Sequence, residues 1–152
     1  MTRIDFYILS TDNLDARLRV ACRIAQKAVQ QRHHVFVNAA DEADANRLDD
    51  LLWTFSQGSF IPHLVAGRGA AADGDEPVVI GVGDTDSADD PPAEAGEHWD
   101  VMINLAQEVP GFFSRYARVA EVVDADPARR TQGRQRYRYY QDRGYKLETH
   151  PI

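Results

Sequence analysis

Arg3-Ile-Asp-Phe-Tyr-Ile-Leu9, Ser10-Thr-Asp-Asn13, Leu14-Asp-Ala-Arg-Leu-Arg-Val-Ala-Cys-Arg-Ile-Ala-Gln-Lys-Ala-Val-Gln-Gln31 and His34-Val-Phe-Val-Asn38 together decide the fold. The first segment reads as a buried strand. Ser10 to Asn13 is a turn offering several helix N-caps. From Leu14 onward, apolar residues at 14, 18, 21, 22, 25, 28 and 29 mark one face of a long helix. His34 to Asn38 is an uninterrupted apolar run of the kind buried on both faces of a parallel sheet. A strand, a helix and a strand in that order form the unit from which α/β folds are built.

The rest of the chain repeats the alternation. Asp41 opens a helix that ends near Trp53 to Phe55, with an acidic first turn that the helix dipole favours. Pro77 to Val82, Asp100 to Leu105 and Val119 to Asp124 read as further strands. Pro110-Gly111 opens a short turn containing Phe112, Phe113 and Tyr116. Pro127 suits the first turn of a closing helix that runs to about Arg143 and is stopped by Gly144. The expected fold is therefore α/β, a single domain over residues 1–152. Its sheet should be mainly parallel and covered by helices on both faces, a Rossmann-like topology without a nucleotide-binding loop. Residues 83–97 are rich in Asp, Ala, Pro and Gly, and read as an exposed, mobile acidic loop.

Composition is that of an ordinary soluble globule, 43% hydrophobic and 27% charged. No apolar run reaches membrane-spanning length, and Met-Thr-Arg-Ile-Asp-Phe is not a signal peptide, so the expected location is cytoplasmic. The lone cysteine, Cys22, lies on the apolar side of its helix and reads as a buried, inert thiol. Net charge is −7, but it is unevenly spread. Arg129 to Lys146 carries a local balance of +6, while Asp73 to Asp100 holds ten acidic residues and no Lys or Arg. That asymmetry points to an electrostatically chosen partner for the C-terminal segment.

Two patches ask for a partner. In the helix ending at Phe55, the apolar stripe runs through Ala45, Leu48, Leu52 and Phe55. At about 100° per residue Trp53 lands roughly 130° from its middle. Beyond the Gly58-Ser59 break, Pro62 keeps Phe60-Ile61-Pro62-His63 out of a helix or a central strand. A tryptophan off the core face beside an apolar loop is either a binding anchor or is covered by another element of the chain. In the closing helix, Arg130, Arg134 and Arg138 form one cationic stripe with Tyr137 packed in it. Guanidinium groups grip carboxylates in pairs, and an aromatic wall accepts an apolar side chain. Nucleic-acid phosphates with stacked bases suit that design, and so does an acidic peptide with a hydrophobic end. A solvated basic face is the plain alternative. The negative charge of the remaining chain disfavours broad contact with DNA.

No catalytic constellation is legible. The strand-to-helix loops contain no GxGxxG and no GxxxxGK[ST]. The five histidines, His33, His34, His63, His98 and His150, show no metal-like spacing with Cys or carboxylates and read as surface or loop residues. Asp49 and Asp50 read as solvated charges on a helix flank. Neither enzyme activity, nor a cofactor, nor a metal is expected.

With both patches in place, the chain resembles the chi subunit family of bacterial DNA polymerase III. The resemblance is carried by Asp5-Phe-Tyr-Ile-Leu9, Asp41-Glu-Ala-Asp-Ala-Asn-Arg-Leu-Asp-Asp-Leu-Leu-Trp53 and Ser59-Phe-Ile-Pro-His63. Ala66-Gly67, Pro77-Val, Glu121-Val-Val-Asp124, Arg134-Gln-Arg-Tyr-Arg-Tyr-Tyr140 and Gly144-Tyr145 extend it almost end to end. It implies a non-enzymatic subunit of the polymerase holoenzyme that pairs with the small psi subunit and, through it, with the clamp loader. It also implies binding of the acidic C-terminal tail of single-stranded DNA-binding protein, with little direct contact to DNA. By resemblance, Trp53, Phe60 and Pro62 belong to the psi-facing surface, which some members also use for a repair helicase. Arg130, Arg134, Tyr137 and Arg138 correspond to the tail-binding positions. The contrasting reading is a single-stranded nucleic-acid-binding module using the basic helix. The 83–97 stretch is longer and more acidic than the family's usual loop, and little similarity remains after Tyr145.

Overall fold

Every strand in the computed structural model runs parallel to its neighbours. The structure describes residues 1–55, 61–67, 76–83 and 90–152. The elements are β1 (Arg3–Ile8), α1 (Leu14–Gln30), β2 (Val35–Ala39), α2 (Glu42–Thr54), β3 (His63–Val65) and β4 (Val78–Val82). Then come β5 (Val101–Asn104), β6 (Arg118–Val123), α3 (Pro127–Asp142) and β7 (Leu147–Pro151). The sheet order is β3-β4-β2-β5-β6-β1-β7.

The alternation of side chains along each strand sorts the core into two layers. Val35, Val37, Val101, Ile103, Ala120 and Val122 face α1 and α2. Phe36, Met102, Val119 and Val123 face the opposite way, toward the Phe112–Tyr116 turn and Tyr140 of α3. Helix starts follow local chemistry. Asn13, Asp41 and Asp126 each accept a hydrogen bond from the backbone N–H three residues on. Gly144, at φ +81°, closes α3 in a conformation that glycine adopts without strain. Cys22 is buried as expected, and burial pushes its thiol up to about 12. No helix among the described residues is long and apolar enough to cross a membrane.

Two strands were not legible. β3 has only three residues and lies at a sheet edge, where Pro62 just before it costs no ladder bond. β7 forms the other edge, and ion pairs secure it as much as apolar packing does. His150 lies 2.9 Å from the Asp5 carboxylate, and its ring stacks on Tyr7 at 5.0 Å. Arg3 bridges to Glu148 at 3.4 Å. Of the 83–97 stretch, residues 84–89 lie outside the described residues. The part from Pro92 onward packs on the protein, with a one-turn helix at Ala93–Ala95, Ala95 buried, and Glu94 accepting the Gly67 N–H.

Asp5 is fully buried between His150, Arg118 and Arg3. Burial opposes its ionisation, but those partners prevail and hold it below the ordinary carboxylate range. Asp124 is depressed in the same way, with Arg129 outweighing burial. A depressed carboxylate contributes stability that is complete above its unfolded value of about 4 and is lost as pH falls through its folded value. Chemical denaturation should therefore show a steep loss of stability below about pH 4. In Asp5→Asn the wild-type advantage at pH 7 should shrink on acidification, and a constant gap across that range would contradict this.

Candidate protein interface

The first surface is built where α2 ends beside the β3 edge. Trp53 is 44% exposed, as its angle on the helix requires. Its ring lies 4.5 Å from the ring of His63. Pro62 is exposed next to the buried Ile61, and Phe60 lies outside the described residues. His63 corrects the surface-histidine reading, since its side chain is wholly buried. One ring nitrogen meets the Ile61 carbonyl and the other the Asp49 carboxylate, both at 2.7 Å. Asp49 is accordingly not a freely solvated charge. The reason is geometric: the inward-facing first residue of an edge strand must pack on the helix above it, and α2 presents Asp49 and Trp53 one turn apart.

The second surface is α3, on the opposite face of the sheet. In sequence its arginines look alike, but the fold separates them. Arg136 is 4% exposed and donates to Glu121 at 2.8 Å and to the Gln107 carbonyl at 3.0 Å. Arg129 makes a two-pronged pair with Asp124 and reaches the Asp12 carbonyl. That staple joins the carboxyl ends of β1 and β6, on the edge of the sheet where α/β folds commonly seat ligands. Arg130 reaches back to the Leu9 carbonyl at 3.3 Å. Arg134 and Arg138 are exposed. Tyr137 is half-buried, its ring edge-on to Phe6 at 5.2 Å. The expected stripe is thus present, with Arg134 and Arg138 at the surface, Tyr137 at its boundary and Arg130 partly engaged by the chain's own backbone.

Beneath α3 lies a polar row that spacing did not reveal. Asn38, Asn104 and Glu121 sit in register on β2, β5 and β6. Asn38 donates to Asn104 at 3.0 Å, and Asn104 donates to Glu121 at 2.9 Å. Tyr140 donates its hydroxyl to the same carboxylate at 2.7 Å. Burial, reinforced by the Glu121 charge, holds that phenol well above its usual range. Gly133 completes the seat, because a Cβ there would stand 2.9 Å from Val123.

The fold also gathers Asp5, Glu148 and His150 with ligating atoms within 4.8 Å, although their sequence spacing gave no hint of it. Arg3 and Arg118 already neutralise those carboxylates. A self-paired cluster of this kind is structural rather than a vacancy for a cation.

Residues 1–148 match the family described as "DNA polymerase III chi subunit, HolC". A Pseudomonas aeruginosa protein named DNA polymerase III subunit chi is 43% identical over 152 residues, covering 100% of this chain and 98% of the relative. An Escherichia coli protein of the same name is 29% identical, covering 98% of this chain and 97% of the relative. Among solved structures, T4 UvsW superposes with a TM-score of 0.67 at 10% identity. It covers 99% of this chain but the chain spans only 42% of it, so the likeness concerns the fold alone.

Removing one partner of a buried charge pair costs about 3–5 kcal/mol, because the other charge is left uncompensated. Arg136→Met should therefore lose that much folding stability in a urea titration. Combining it with Glu121→Gln should recover part of the loss. Strict additivity of the two substitutions would show that the pair does not act as a unit.

Proposed function

Because the chain belongs to the DNA polymerase III chi subunit family, and so has an accessory role in replication, we propose that it is a non-catalytic adaptor with two protein-binding faces. One face, around Trp53, Phe60 and Pro62, holds the psi subunit as a heterodimer and through it the clamp loader. The other, around Arg130, Arg134, Tyr137 and Arg138, holds the acidic tail of single-stranded DNA-binding protein. A repair helicase is a second candidate for the Trp53 face.

The observation that carries the proposal is the placement of the two surfaces. α2 lies over β3 and β4 on one side, while α3 lies over β6 and β7 on the other. Two macromolecules can therefore bind without touching the same side chains. On the α3 face, the exposed guanidinium of Arg134 is suited to gripping a carboxylate. Tyr137 and the apolar layer beneath it offer a wall for a terminal phenylalanine. In this reading Arg130 would exchange its Leu9 carbonyl for the tail.

A synthetic acidic peptide ending in phenylalanine should bind the protein. Arg134→Ala should weaken it by about 1.5–3 kcal/mol, the scale of a charge-assisted hydrogen bond. Arg134→Lys should restore only part, since the point charge survives and the fork does not. Removing the terminal phenylalanine should cost at least as much as Arg134→Ala. On the other face, Trp53→Ala should reduce psi affinity by about 2 kcal/mol or more. Its folding stability should change by about 1 kcal/mol or less. Calorimetric titration with peptide and with bare oligonucleotide, each at two salt concentrations, separates the readings. Binding of the oligonucleotide alone, with steep salt dependence, would replace the adaptor by a nucleic-acid-binding module.

A further inference from the structure

At the carboxyl edge of the sheet, a cleft of about 520 Å³ opens between the first turns of α1 and α2, the segment after β5, and α3. α/β sheets take ligands along this edge. Two side chains in the cleft wall are buried and charged, and neither lies within salt-bridge distance of an opposite charge among the described residues. Arg17 is 3% exposed. Its Nε and Nη2 donate to the carbonyls of Val122 and Leu105 at 2.9 and 3.1 Å, and it joins no ion pair among the described residues. Asp124 and Glu121 act on it only from a distance, and a guanidinium removed from water with no counter-charge in contact is costly. Burial, with the Arg136 charge adding to it, pushes Arg17 down to about 10. Asp44 is 9% exposed, and its carboxylate accepts no hydrogen bond among the described residues. Burial first and Asp41 second push that carboxyl up, against the opposing charges of Arg17 and Arg129.

The two groups make opposite demands on the same space. Arg17 offers N–H donors to oxygens bearing negative charge, whereas Asp44 offers acceptors to a proton donor. Arg129 and Arg136 also line the cleft and add positive potential, although each is paired with a carboxylate. Asp41 and Glu108 line it too, and would repel a run of phosphates. A single compact oxyanion that retains a proton satisfies all of these conditions. Hydrogen phosphate is such an ion. Sulfate, of similar size and charge, offers acceptors but no donor. A phosphate monoester above its second pKa of about 6 has likewise lost its proton.

We propose that this cleft is a binding site for inorganic hydrogen phosphate, with Arg17 gripping the charged oxygens and Asp44 accepting the P–OH proton. The site is independent of the two protein-binding faces, so its failure would leave the adaptor reading untouched. The test is titration of the full chain at pH 8 with sodium phosphate, sodium sulfate and methyl phosphate, ionic strength being matched with sodium chloride. Calorimetry gives the affinities, and the thermal midpoint provides a second readout. Phosphate should bind at least tenfold more tightly than either of the other anions. Arg17→Met should abolish the phosphate response. Asp44→Asn, whose amide donates a hydrogen bond to an unprotonated oxygen, should raise sulfate to at least the level of phosphate. Should Arg17→Met fail to fold, the exchange of preference in Asp44→Asn decides the matter alone. Equal effects of phosphate and sulfate on the wild type would overturn the proposal. So would equal binding of methyl phosphate, no response to any anion, or an unchanged preference in Asp44→Asn.

Discussion

A fully buried carboxylate, Glu121, sits in the middle strands of the sheet and must be met by charge and hydrogen bonds or it would unfold the core around it. Arg136, Tyr140 and Asn104 meet it. Two of those three groups are on α3, one turn apart, so satisfying Glu121 fixes the rotation of that helix about its axis. Gly133, pressed against Val123, fixes how closely the helix approaches. Once Gly133, Arg136 and Tyr140 face inward, the helical period turns Arg134 and Arg138 to the surface. The buried ion pair therefore determines which arginines a partner meets.

Much of this was open to reading in the sequence, and the rest was closed for identifiable reasons. Periodicity located α1 and α2 almost to the residue, because each has a polar N-cap and a sustained apolar face, whereas α3 was marked by Pro127 in its first turn and Gly144 beyond its end. It failed for β3 and β7. The first is too short for alternation to register, and the second is held partly by Asp5–His150 and Arg3–Glu148 pairs that are remote in sequence. The angle of Trp53 was legible, since it depends only on helical geometry. The burial of His63 was not, because Asp49 meets it across a strand–helix packing that spacing does not encode. Asn38, Asn104 and Glu121 lie on three different strands, far apart in sequence. Only the cross-strand register makes them neighbours. In α3 the alternation of Arg and Tyr conceals that Arg136 is a core residue. Helical spacing singled out Arg130, Arg134, Tyr137 and Arg138, and the resemblance to the chi family supplied the expected partner.

The same arrangement bears on what the carboxyl edge of the sheet can do. At the carboxyl ends of β1 and β6 the chain ties itself shut with Arg129, Asp124 and the Asp12 carbonyl. The neighbouring cleft stays open, and it has a guanidinium and a carboxyl that no opposite charge among the described residues contacts directly. Its wall is acidic enough to disfavour a polyanion. The exposed guanidinium groups of Arg134 and Arg138 on the outer flank of α3 suit a short acidic peptide better than an extended nucleic-acid backbone.

The central claim, that two faces act without interfering, is tested most directly by assembling all three components. The protein, a psi subunit and a phenylalanine-terminated acidic tail peptide are mixed, and the species are weighed by native mass spectrometry. In parallel, the tail affinity is measured with and without saturating psi. Opposed, unconnected faces predict a one-to-one-to-one complex and a tail affinity unchanged to within about twofold, well under the coupling typical of linked sites. Displacement of the peptide by psi, or two binary complexes and no ternary one, would contradict the account.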